Sequence, residues 1–269
     1  MRASHRTSFV CILLLAVALV LGPWLSPWDQ EHIDYDAFDT PPSLTHWFGT
    51  DGSGRDLLVR TMAGGQVSLT IALLATFVSF AIGLPWGVIA GYAGGRVDQV
   101  MMRIVDGLYG LPFIFLVILL VVFFGRNPYL LFIAIGAVSW LDLARIVRGQ
   151  TLVVKNAMYI EAARALGVSS PWIVTRHVVP NIMGPALVYA TLTIPGVIIA
   201  ESFISFLGLG IQEPRTSWGV LIADGATRLH APWQLIFPAT FLSVTLLVLN
   251  VAGDQLRDAI NPQEQGLRL

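Results

Sequence analysis

Charge, cysteine and lysine are all scarce in this chain, and each scarcity excludes something. Charged residues are 12% of its 269 positions, against 55% hydrophobic residues, and the mean hydropathy is +0.71. Soluble domains carry about 25% charged residues. A chain this poor in charge cannot cover a water-facing surface, so the composition points to an integral membrane protein. The one cysteine, Cys11, excludes an intrachain disulfide framework and a CxxC metal or redox pair. The one lysine, Lys155, has no glycine loop before it, which excludes a phosphate-binding loop and with it an ATPase site. The five histidines (His5, His32, His46, His177 and His230) are scattered without an HExxH-like cluster, so no metal site is expected. Gly52-Ser53-Gly54 is not a GxSxG nucleophile elbow, and no catalytic residue is assigned. A net charge of −1 gives no sign of a nucleic-acid partner.

What is present is apolar sequence in long runs. A helix needs about 20 residues to cross the hydrocarbon. Six stretches qualify: Ser8–Leu25, Val67–Gly91, Ile104–Phe124, Tyr129–Ile146, Gly184–Phe206 and Trp233–Gly253. The first could be a signal peptide, but Trp24 and Trp28 stand where a cleavage site needs small residues, so it reads as an uncleaved anchor. With a cytoplasmic N-terminus, the inner side holds Arg2, Arg6, Arg96, Arg103, Arg145, Arg148, Lys155, Arg164, Arg176, Arg257 and Arg268. The outer side then holds only Arg55, Arg60, Arg126, Arg215 and Arg228. That bias places both termini inside. The expected organisation is a first helix (about 8–25) with an acidic outer loop over 1–66, a transmembrane domain over 67–262, and a tail over 263–269. Gly83, Pro85, Gly87, Pro112, Pro195 and Gly196 predict kinked spans packed closely on neighbours.

The inner loop, about 147–183, is long for a connection between membrane helices. Leu152–Leu166 is rich in alanine and free of Gly and Pro, which predicts a helix, with Gly167 placed to end it. Ser169 or Ser170 can cap a second helix, with Pro171 in its first turn and a stop near Pro180. Two readings fit: an amphipathic pair lying on the inner leaflet, or a surface into which another protein docks, its small alanines admitting a close backbone.

The sequence here resembles a known family. "EAARALG" at 161–167 followed by "HVVPN" at 177–181 is similar to the EAA loop of ABC-importer membrane subunits. "FGTDGSGRDLLVRTMAGGQVSL" (48–69), "ESFISFLGLGIQEP" (201–214), "SWGVLIADG" (217–225), "PWQLIFPA" (232–239) and "GDQLRDAINP" (253–262) are similar to the "C" type subunits of the dipeptide, oligopeptide and nickel branch. Val59 and Gln66 depart from it, where that branch often has serine and arginine. The resemblance implies an all-α integral membrane protein of six transmembrane helices with the type I (MetI-like) importer permease fold, in a bacterial inner membrane. It implies a coupling loop carried by Glu161, Ala162, Ala163, Arg164, Leu166, Gly167, His177 and Pro180. Implied partners are a homologous second permease subunit, two cytoplasmic ATPase subunits or domains, an extracytoplasmic substrate-binding protein and membrane lipid. ATP and Mg would be used by the ATPases, with no cofactor on this chain. Peptides are the implied cargo, ahead of nickel, glutathione and other small solutes. The rival class is a stand-alone ion-coupled carrier or channel, for which only Glu201 and Asp142 speak.

Glu201 lies toward the outer end of its span, either lining the route as a gate residue or bonded within the bundle beside Ser202. Asp142 and Arg145, three apart, are expected to pair. In His46–Asp56 the pairs Asp51-Gly52 and Ser53-Gly54 predict a turn. Arg55, Asp56 and Arg60 would then open a helix at the interface, with His46 and Trp47 as headgroup anchors. Gly49, Asp51, Gly54, Arg55 and Asp56 thus form an outer re-entry segment that the binding protein could touch.

Overall fold

The computed structural model describes residues 2–124 and 128–260. The expected tail 263–269, with Arg268, and Arg126 lie outside them. The described chain is helical: α1 (Arg2–Leu25), α2 (Leu57–Ala93), α3 (Gly95–Tyr109), α4 (Phe113–Phe124), α5 (Pro128–Lys155), α6 (Met158–Ala165), α7 (Ser170–Ile173), α8 (Val179–Phe206), α9 (Trp218–Ala226) and α10 (Trp233–Ile260). Among the described residues the only β pairing is an isolated bridge between Thr50 and Asp56.

Among the described residues, three helices are long and apolar enough to span a membrane: Leu57–Ala93, Ser170–Phe206 and Trp233–Ile260. The expected third span, Ile104–Phe124, is not one straight helix. α3 and α4 meet at 83°, broken at Gly110-Leu111-Pro112, and count as a fourth span only if the bent pair is taken together. Pro112 removes a backbone donor and clashes with the preceding turn, which breaks the ladder there. The stretches Ser8–Leu25 and Tyr129–Ile146 fall in α1 and α5. By length and apolarity the described helices supply three spans or four, where six are expected.

The chain divides into two compact units. One comprises Met1–Leu73, Leu120–Phe132 and Pro195–Ala252. Its buried cluster is Leu19, Leu58, Met62 and Trp218. The other comprises Leu74–Leu119, Ile133–Ile194 and Gly253–Leu269. In the latter, α2 and α5 lie backbone to backbone. A β-carbon on Gly83, Gly87 or Gly91 would come within 2.9, 2.5 and 2.9 Å of the carbonyl oxygens of Trp140, Ala144 and Arg148. Three glycines four residues apart put one bare stripe on α2, which is what close helix packing in lipid requires. Both sets of residue numbers rise together, so the two helices run parallel.

Candidate functional site

The Glu161–Pro180 segment rests on that glycine-packed pair. Lys155, the chain's single lysine, donates from Nζ to the carbonyls of Gly91 (2.8 Å) and Tyr92 (3.2 Å), satisfying the C-terminal end of α2. Arg148 on α5 holds Asp98 of α3 through Nε and Nη2 at 2.5 and 2.6 Å. The chain turns at Asn156-Ala157 and starts α6, so the expected Leu152–Leu166 helix is two helices rather than one. The turn lets Ile160 drop into a buried cluster with Val88, Leu143, Val147, Ile173, Val178 and Ile182. That burial outweighs the helix propensity of the uninterrupted run.

Gly167 ends α6 as the sequence predicts. Its φ is +79°, Val168 N–H donates to the Ala163 carbonyl (3.1 Å), and Gly167 N–H donates to that of Arg164 (2.9 Å). This is a Schellman cap, with Ala163 and Val168 both packed against the apolar cluster below. Above it, Glu161, Ala162 and Arg164 are exposed, as are Met158 (86%) and Leu166 (84%). Of the two alanines in "EAA", then, Ala162 faces outward and Ala163 inward. The Arg164 guanidinium sits 5.3 Å over the Tyr92 ring, and His177 meets Trp172 edge-on at 5.0 Å.

Ser169 occupies the N-cap of α7, with extended backbone and no side-chain cap bond. Pro180 does not stop the helix. Residues Val174–Val178 form a π turn in which Val179 N–H bonds the Val174 carbonyl, and the helix continues from Ser170 to Phe206. The widened turn leaves room for the proline ring beside the preceding carbonyls, and Pro180 needs no donor there. The expected Asp142–Arg145 pair is also replaced: Arg145 Nη2 bonds Asp106 Oδ1 at 2.8 Å and stacks over Tyr109. α3 supplies a carboxylate and a ring together, which a helical neighbour does not.

In the unit that contains Glu201, its carboxylate is fully buried, with 0% exposure, and is enclosed by hydroxyls. Ser205 Oγ donates at 2.7 Å, Ser68 Oγ at 3.0 Å, and Ser202 Oγ lies at 3.5 Å. Ser68 in turn accepts from Trp218 N–H at 3.3 Å, and the Trp218 indole donates to the Thr61 carbonyl at 2.9 Å. A β-carbon on Gly219 would lie 2.5 Å from Ser202 Cα. Glu201 is thus a joint between α2, α8 and the start of α9. Of this shell, sequence reading names only Ser202. Ser205 was visible at i+4, whereas Ser68 and Trp218 are 133 and 17 positions from Glu201 and carry no local signal.

The His46–Asp56 segment is a tight turn, as expected. Asp51 Oδ1 accepts from the backbone N–H of Ser53 (2.8 Å) and Arg55 (3.0 Å), and Gly49 and Gly54 have φ of +75° and +78°. Asp56 is the N-cap of α2, accepting from Val59 N–H at 3.0 Å. Two expectations are corrected. No separate interfacial helix forms, because α2 runs unbroken from Leu57 and buries Arg60 at 1% exposure. His46 does not anchor at a surface: it is buried, bonds Asp56 Oδ2 at 2.9 Å and stacks on Trp28 at 4.7 Å. Trp47 is exposed. Arg55 bridges Asp51 Oδ2 (2.8 Å) and Glu213 Oε1 (2.7 Å), tying residues 158 apart. The Arg55 hydrogen bond holds the Glu213 carboxyl below its ordinary value despite partial burial. Asp39 accepts from Gln234 Nε2 (2.7 Å) and Arg228 Nη1 (3.1 Å), with His230 Nε2 at 3.4 Å; burial alone would raise its carboxyl, and Gln234, His230 and Arg228 together lower it.

Residues 83–265 match the model of a family described as the binding-protein-dependent transport system inner membrane component. The chain is 51% identical over 261 residues to the oligopeptide transport system permease protein OppC of Escherichia coli strain K12, covering 96% of this chain and 86% of that protein. It is 45% identical over 254 residues to the dipeptide transport system permease protein DppC of Bacillus subtilis strain 168, covering 94% and 79%. A solved structure of the MetNI methionine ABC transporter in an inward-facing conformation shares the fold. Its TM-score is 0.60 at 22% identity, over 75% of this chain and 96% of that one.

Proposed function

This chain belongs to the family of binding-protein-dependent transport system inner membrane components, and from that premise we propose that it is the permease subunit of an ATP-driven peptide importer. It forms half of the translocation pathway in a bacterial inner membrane, with both termini cytoplasmic, beside a homologous second permease subunit. A substrate-binding protein delivers peptide from outside, and two ATPase subunits, which bind the ATP and Mg, work from the cytoplasm. The peptide cargo is supported by the names of relatives that match almost the whole chain.

The observation that carries the mechanism is α6, a short helix with an exposed top and a rigid foot. Its Schellman end fixes the turn at Gly167, Ile160 is buried beneath it, and the glycine-packed α2–α5 pair supports both. An ATPase surface closing on Glu161, Ala162, Arg164 and Leu166 would move a body with no soft joint at its base, and so would pass motion to the spans. His177 and Pro180 stand at the π turn where that motion enters the long helix. Glu201 serves at the gate as the buried joint between α2, α8 and α9, and the 49–56 turn contributes to the surface met by the binding protein.

Two experiments test this. Purification of the tagged chain from its host membrane should bring ATPases and a second permease with it; a stand-alone carrier would come out by itself. Deletion of the chain should abolish uptake of a labelled tripeptide and leave uptake of nickel unchanged; loss of nickel uptake alone would reassign the cargo.

A further inference from the structure

Helix α1 carries Pro23 inside it. In an unbroken helix the backbone N–H of residue 23 would bond the carbonyl of Leu19, and proline has no N–H to give. That carbonyl is not left orphaned. Gln66 Nε2, on α2, donates to Leu19 O at 2.6 Å. Around this bond the two helices are in tight contact. A β-carbon on Gly22 would lie 2.7 Å from Met62 Cγ, and one on Gly65 would lie 2.7 Å from Leu19 Cδ2 and 2.5 Å from Trp218 Cζ2. Leu19, Leu58, Met62 and Trp218 close into one buried cluster. Trp218 N–H then donates to Ser68, and Ser68 donates to Glu201.

We propose that Gln66 is a positioning residue that seats α1 on α2 by occupying the Leu19 carbonyl freed by Pro23, and so holds Trp218 and Ser68 in place over Glu201. On this assignment α1 is a working part of the transport unit rather than an insertion anchor alone. The physical reason is the medium: apolar helices in lipid gain little from apolar contact itself, so a side-chain bond to an orphan carbonyl and close glycine contacts decide where α1 sits. The uptake readout below rests on the transport function proposed above; the cross-linking readout does not, so the two can fail separately.

The test is a disulfide pair in membranes holding the assembled complex. The ideal Gly22 β-carbon is 3.5 Å from Met62 Cβ, within the span that a disulfide bridges. Gly22→Cys with Met62→Cys, in a Cys11→Ser background, should cross-link readily under mild oxidation. Adding Gln66→Leu leaves the carbonyl without a donor and should slow cross-linking about tenfold, since a buried orphan acceptor disfavours the docked helix. Adding Pro23→Ala to that variant supplies the missing N–H and should restore the rate. Peptide uptake, normalised to complex in the membrane and measured with native Gly22 and Met62, should fall and recover in the same order. A Gln66→Leu variant that cross-links as fast as its parent would overturn the proposal. So would failure of Pro23→Ala to restore cross-linking, which would trace the loss to packing rather than to the carbonyl.

Discussion

Substituting Gly167 isolates the backbone contribution to coupling. The residue sits at φ +79°, and beyond its two chain neighbours no atom lies within 4 Å of where its β-carbon would be. A β-carbon there meets no packed neighbour, so the cost of adding one comes chiefly from left-handed backbone strain. For an L-residue that strain is about 1–2 kcal/mol. It acts on the two bonds that close the α6 cap, Val168 N–H to Ala163 and Gly167 N–H to Arg164. A shift of that size changes the population of the capped turn by about 5- to 30-fold. The expected result is that Gly167→Ala and Gly167→Leu lose peptide uptake to a similar degree within that range. Gly167→Asn should lose less, because asparagine tolerates the left-handed region. The assay is uptake into proteoliposomes containing the assembled complex, with ATP hydrolysis measured alongside, so that uncoupling appears as hydrolysis without transport. Normal uptake by Gly167→Leu would refute the reasoning. A Leu variant far worse than Ala would place the cause in a partner's surface pressed on the turn, not in the backbone.

Other outcomes follow from the same geometry. Glu201→Leu removes the acceptor of the Ser68 and Ser205 hydroxyls and should destabilise the purified chain by about 1–3 kcal/mol. Glu201→Gln keeps an oxygen at the site and should cost less; unchanged transport and unchanged coupled ATP hydrolysis in that variant would remove Glu201 from the gate. Gly87→Leu forces a side chain where the β-carbon would already be 2.5 Å from the Ala144 carbonyl, so the amount of assembled complex in the membrane should fall sharply. Wild-type levels would mean that α2 and α5 are not in backbone contact. The Glu213 carboxyl is held low by Arg55, so its contribution to local stability is present above the ordinary glutamate range. It is lost as pH falls through the depressed value. Protection from hydrogen exchange over residues 207–217, corrected for the intrinsic rate at each pH, should therefore weaken as pH falls below the ordinary glutamate range, modestly because Glu213 is largely exposed. Glu213→Gln should remove that dependence, and a variant that retains it would exclude the Arg55 pair as the source.

Composition and local chemistry, read as sequence, determined the class of this protein and several of its joints. Too little charge for a water-facing surface and long apolar runs require helices in a membrane. Gly167 after an alanine-rich run requires a helix end, and Asp51-Gly52-Ser53-Gly54 requires a turn; the structure has both. These features depend on backbone bonds and φ angles within a few residues, and local sequence encodes them. Tertiary structure decided whatever depended on a distant partner. Pro180 reads as a helix stop, yet a π turn accommodates it and the helix continues. Leu152–Leu166 reads as one helix, yet it breaks at Asn156-Ala157 so that Ile160 can be buried. Arg145 takes Asp106 and a tyrosine ring from α3 in place of Asp142 on its own helix. His46 turns inward to Asp56 and Trp28. Glu201 shows the division most clearly. Its depth in an apolar run marks it as a charge in need of partners, because an unpaired carboxylate in a medium without water is costly. Of its partners, Ser205 one turn along α8 is within reach of local sequence, whereas Ser68 from α2 became visible only once the helices were packed.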